Sequence, residues 1–150
     1  MTTSLTGKDT IKINGRILND FADGDVANLT YPNDITAIKT GKNGNSIIAF
    51  NYSGLQSELT LRLLRGSADD KFINNLLALL KNDPAAFTLM TGEFTKNIGD
   101  GAGGILADTY IMSGGTFKKQ TAVVENADGT TDQAIAIYDL HFTNAPRAIG

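Results

Sequence analysis

Ser67-Ala-Asp-Asp-Lys-Phe-Ile-Asn-Asn-Leu-Leu-Ala-Leu-Leu-Lys-Asn-Asp-Pro84 decides the fold class, because it is the one stretch of this chain where apolar residues recur at helical spacing. Phe72, Ile73, Leu76, Leu77 and Leu80 make a single stripe, and Lys71, Asn74, Asn75 and Lys81 fall mostly on the other side. Ser67 is the expected N-cap, with Asp70 in an approximate capping-box position and Asp69 beside it at the positive end of the helix dipole. Pro84 ends the pattern. The reading predicts an amphipathic helix over about residues 68–82, about 22 Å long at about 1.5 Å per residue. Such a helix covers one face of a sheet and cannot form a core alone.

The flanking sequence supplies strands. Thr10-Ile-Lys-Ile-Asn-Gly-Arg-Ile-Leu18 sets Asn14-Gly15 between two apolar alternations, a strong hairpin signal. A turn at Asp23-Gly24-Asp25 precedes an alternation from Val26 to Tyr31 that Pro32 closes. Ile35-Thr-Ala-Ile-Lys39 and Ile47-Ile-Ala-Phe-Asn-Tyr52 flank Thr40-Gly-Lys-Asn-Gly-Asn-Ser46, a loop without an apolar residue. Leu59, Leu61 and Leu63 alternate with Thr60, Arg62 and Leu64 in a half-buried strand that runs into the helix.

After the helix, residues 86–91, 105–112, 117–125 and 133–142 are strand candidates, and the last two form a long hairpin in this reading. Residues 97–104, Asn-Ile-Gly-Asp-Gly-Ala-Gly-Gly, read as a flexible loop, and Ser113-Gly-Gly-Thr116 reads as a turn. The expected fold is mainly β: an antiparallel β-sandwich or barrel of about seven to nine strands flanked by one α-helix, in a single domain over residues 1–150.

A chain of 150 residues buries enough surface to fold without metal or disulfide, and it contains no cysteine. Cys-ligated zinc and a Cys nucleophile are therefore excluded. Thirteen basic against 16 acidic residues give a net charge of −3, with no basic cluster longer than Lys118-Lys119, so a role built on gripping phosphates is disfavoured. The first residues lack the basic and apolar regions of a signal peptide, and no apolar run approaches a membrane span.

Motifs that carry chemistry are weak throughout. Gly99-Asp-Gly-Ala-Gly-Gly104 has the spacing of a dinucleotide loop, but a strand pattern follows it where a helix N-terminus is needed. Asp23-Gly24-Asp25 and the run from Asn126 to Asp132 hold oxygen ligands at short spacing without completing a calcium loop, and turn chemistry explains both. His141 is the single histidine, two residues from Asp139 and so on the same strand face. Ser113 is only a nominal nucleophile for it, since no G-x-S-x-G elbow exists. No catalytic residue, cofactor or metal is expected, and the chain reads as one that works by presenting surfaces rather than as an enzyme.

Phe21-Ala-Asp-Gly-Asp25, Lys39-Thr-Gly-Lys-Asn-Gly-Asn45 and Glu58-Leu-Thr-Leu-Arg-Leu-Leu64 leading through Ser67 into the helix, taken in order, resemble the short tail tube proteins of contractile-tailed bacteriophages. The likeness covers nearly the whole chain. It implies a subunit that closes into hexameric rings, with rings stacking into a hollow tube in the virion tail, assembled in the host cytoplasm. Related folds serve type VI secretion and phage-like bacteriocins. About four strands per subunit would make an inner barrel of about 24 strands, whose bore of about 40 Å passes DNA without specific binding.

The implied partners are further copies of the chain and the tail sheath and baseplate proteins, with no membrane anchor. The alternative is a small β-sandwich accessory or adaptor module of the virion that forms no long tubes. Seven residues are more than a tight turn needs, so Thr40, Gly41, Lys42, Asn43, Gly44, Asn45 and Ser46 are expected to contact a neighbouring subunit. Phe21, Asp23 and Asp25 are further contact candidates.

Overall fold

The computed structural model describes residues 2–22 and 24–150. The strands are β1 (Ser4–Ile13), β2 (Arg16–Ile17), β3 (Ala27–Thr30), β4 (Thr36–Thr40), β5 (Ser46–Phe50), β6 (Ser57–Leu64), β7 (Met90–Gly99), β8 (Ile105–Phe117), β9 (Ala122–Val123), β10 (Ile135–Asn144) and β11 (Arg147–Ile149), with one helix, α1 (Ala68–Asn82). The main sheet runs in the order β2-β1-β7-β8-β10-β6-β3, with β11 on β8 and β9 on β10, while β4 and β5 form a separate two-stranded sheet. Every pairing is antiparallel.

The sheet folds over on itself. Ile11 and Ile13 of β1 share one buried cluster with Leu59, Leu61 and Leu63 of β6, although β7, β8 and β10 separate these strands in the sheet order. The chain after β2 fixes this closure by running beside β6, where Leu64 N donates to Asp20 O at 2.8 Å and Ala22 N to Arg62 O at 3.0 Å. The result is a mainly β sandwich.

The helix occupies the predicted residues. Ser67 Oγ accepts from Asp70 N at 3.2 Å, and Asp70 Oδ2 accepts from Gly66 N at 2.8 Å, so the two side chains cap the first turn reciprocally. Ile73 and Leu77 are buried, and Phe72, Leu76 and Leu80 pack at the margin of the same core. The Tyr138 hydroxyl reaches from β10 to Asp70 Oδ1 at 2.5 Å. Burial, followed by this carboxylate, pushes its pKa up to about 12.

The Asn14-Gly15 turn forms as read, with both residues at positive φ. Four expectations fail. Residues 113–116 are not a turn: β8 continues through them as one strand of 13 residues, bulged against β7 where the register shifts between Gly92–Met112 and Met90–Gly115. Gly114 takes a left-handed φ of 63° at this bulge, and both glycines leave space, since a Cβ on Gly114 would overlap the Thr143 side chain and one on Gly115 the Phe142 ring. Residues 97–99 likewise belong to β7, which starts at Met90 rather than at residue 86. The expected 117–125 strand shrinks to β9, which meets β10 at only Ala122 and Val123, so the long hairpin is absent and β6 and β8 are the main partners of β10. The fourth is the strand count, eleven among the described residues, because β2, β9 and β11 are too short to register as apolar periods.

Candidate assembly interface

Residues 34–56 leave the body of the protein as an arm. Thr36 pairs with Phe50, Ala37 with Ala49, Ile38 with Ile48, Lys39 with Ile47 and Thr40 with Ser46. Opposed residues share a face, so Ile38, Ile48 and Phe50 lie on one side and Ile47 with Lys39 on the other. All ten strand residues are solvent-exposed, with Ile38 at 67%, Ile48 at 68% and Ile47 at 75%. Phe50 and Tyr52 stack edge to face at 5.2 Å. A two-stranded hairpin is marginal alone in water, and beyond their cross-strand neighbours its isoleucines are left uncovered among the described residues.

The base of the arm is rigid. Asn51 N donates to Ile35 O at 2.8 Å, extending the ladder by one step, and Asn33 Nδ2 donates to Ser53 O at 3.2 Å. Gly54 is buried where the strands diverge, and a Cβ there would lie 2.5 Å from Ile35 Cα. Only glycine fits that approach.

The tip is shorter than the sequence indicated. Thr40 and Ser46 are strand residues, their hydroxyls bonded at 2.8 Å. Gly41 N donates to Asn45 O at 2.8 Å, Gly44 N to Gly41 O at 3.0 Å, and Gly44 has a φ of 89°. Asn43 Oδ1 also accepts from Asn45 N at 3.3 Å. This is a turn followed by a left-handed residue, a standard hairpin closure. The tip therefore needs no partner to explain its length, and the exposed isoleucines, which the polar loop drew attention away from, are the stronger sign of an interface.

The other contact candidates lie on a different segment. Phe21 bridges to Leu63 and packs half-buried against the core, Asp25 is exposed ahead of β3, and Asp23 lies outside the described residues.

A second surface was not foreseen. Beyond the core, β1, β7, β8 and β11 continue as a four-stranded extension. On its inner face Asp9 pairs with Lys96 at 2.9 Å and Arg147 with Asp108 at 2.8 Å. Leu5, Ile98 and Leu106 follow in one cross-strand row. On the opposite face Thr10, Thr95, Thr109 and Ala148 align across the four strands as an uncharged row, and Lys12, Glu93 and Ile111 form the next row on that face. The outer edge of β11, and that of β1 ahead of the residues that pair with β2, have no ladder partner among the described residues.

The chemical candidates do not converge. Thr116 and Glu58 stand opposite His141, whereas Ser113 pairs with Asn144. Asp139 Oδ1 accepts from Thr60 Oγ1 at 2.8 Å. In the glycine-rich turn Asp100 Oδ1 accepts from Ala102 N at 2.8 Å and Gly104 N at 2.9 Å, occupying amides that a phosphate would need. Asn126 and Thr130 bond each other across their turn. Among the described residues no three acidic or histidine side chains gather as a metal site, and no helix is long and apolar enough to cross a membrane.

No protein-family model matches the chain, and no curated protein matches it. Among solved structures it is similar to a chain of the anti-feeding prophage cap, described as the AFP tube terminating cap, with a TM-score of 0.54 over 97% of this chain and 90% of that one. The two are 11% identical, so what they share is the fold alone.

Proposed function

We propose that this chain is a structural subunit of a contractile phage-type tail tube, forming hexameric rings that stack into a hollow conduit for DNA. The observation that carries the reading is the arm, a sheet of two strands with both faces in solvent and Ile38, Ile47, Ile48 and Phe50 uncovered. Apolar surface of that kind is maintained where another molecule covers it. The four-stranded extension supports a ring. Its strands alternate in direction, so rotation about an axis sets the β11 edge of one copy antiparallel to the β1 edge of the next, and the ladder can continue from subunit to subunit. The uncharged row of Thr10, Thr95, Thr109 and Ala148, beside which Lys12 and Glu93 stand opposite each other with charges that cancel, suits a wall past which a polyanion slides. Sheath and baseplate proteins are the other partners of such a tube, and its place is the virion tail.

The test is electron microscopy of the purified protein at increasing concentration. Rings or tubes are expected from the parent, and a folded, non-assembling protein from the double variant Ile38→Asp, Ile48→Asp. A parent that stays monomeric throughout overturns the reading. The likeness to a terminating cap favours a second reading, in which the chain forms one ring that ends a tube. Single rings that never lengthen, and that bind the ends of a tube made by another protein, would select it.

A further inference from the structure

We infer that the Lys-bearing face of the arm seats in the cleft at the β7–β8 turn of a second copy. This rests on the assembly reading above and names its contact. The arm face in question shows Ile47 with Lys39 opposite and Lys42 in the turn beyond, and residues 35–57 contain no acidic side chain. The cleft, of about 300 Å³, is lined by Ile98, Ile105 and Leu106 together with Asp100, Gly104 and Thr3. Residues 97–106 contain no Lys or Arg.

Each surface is thus an exposed apolar group beside charge of one sign, and the signs are opposite. Ile47 is 75% exposed and Ile105 78%, so neither is satisfied within its own chain. Asp100 has no cationic partner among the described residues, and the amide hydrogens of Ala102 and Gly104 hold its carboxyl below the usual aspartate range, keeping it ionised. Arm and cleft are different patches of one surface, so a contact between them is heterologous. Such contacts propagate through rings or filaments instead of ending at a dimer.

The chain has no cysteine, which gives the test its specificity. Lys42→Cys and Ala102→Cys proteins, one carrying a size tag, are prepared separately, mixed, allowed to assemble and oxidised. Mixed disulfide dimers in excess over the two homodimers are the expected result. Asp100→Asn keeps an oxygen for the turn amides and removes the charge, and with Lys39→Glu, Lys42→Glu it is expected to raise the concentration needed for assembly about tenfold at low salt. Particles that assemble like the parent while giving no excess of mixed dimers, or charge variants that assemble at the parent concentration, overturn the contact and leave the tube reading standing. Absence of any assembly by the parent removes both.

Discussion

Asp69 stands on the first turn of α1, where a carboxylate is usually an exposed partner of the helix dipole, yet it is 2% exposed. It accepts from Asn19 N at 2.6 Å, Asp20 N at 2.9 Å and Arg16 Nε at 3.0 Å, tying the helix to the segment that crosses from β2 to β6. Arg16 is nearly half exposed, so the two backbone amides matter most. Burial pushes the Asp69 carboxyl up, but these donors outweigh it and its pKa lies below the ordinary value. A carboxylate with a depressed folded pKa stabilises above its unfolded pKa, about 4, and the contribution fades as pH falls from there toward the folded value. Asp69→Asn should therefore cost about 3 kcal/mol at neutral pH, with the gap from the parent narrowing below about pH 4. Thermal melts at pH 7 and pH 3 measure both, and an equal gap at the two would show that charge is not the issue.

At the scale of elements, α1 lays its stripe on the inner face of the sheet. Leu77 is 4% exposed among β-strand side chains, so Leu77→Ala should destabilise the subunit by about 2–5 kcal/mol, read from urea unfolding. A loss under about 1 kcal/mol, with weaker ring formation instead, would mean that the helix meets a neighbour. The helix was legible because its cap, stripe and proline all agree, and β6 because Leu59, Leu61 and Leu63 alternate without interruption. The path of β8 was not. Gly114-Gly115 carries the composition of a turn, and it takes the register against β7 and the side chains of Thr143 and Phe142, far off in sequence, to reveal that the strand continues through a bulge and needs the room. The arm was half legible. Its strands follow from the isoleucine runs, but whether an apolar strand is covered is a tertiary fact that no local pattern contains.

For the whole molecule, the issue is what happens at the free edges of the four-stranded extension. Unpaired strand edges invite addition of another chain, and soluble proteins normally blunt them. The β11 edge is short, and its inner side is known from two bonds: Ile111 N donates to Pro146 O and Gly150 N to Ala107 O, each at 3.1 Å. Alternation then turns the amides of Arg147 and Ile149 outward, away from β8, and that of Ala148 inward. A ring closed through this edge needs the outward amides as donors to the next copy. Ile149→Pro removes one of them without touching the bonds to β8, so the subunit should keep its melting temperature while ring closure weakens, seen as a shift to monomer in sedimentation velocity. Ala148→Pro is the control, because it breaks the ladder inside the subunit and should lower the melting temperature as well. If Ile149→Pro closes rings at the parent concentration, the β11 edge is not the seam, and the arm must hold neighbouring copies together without it.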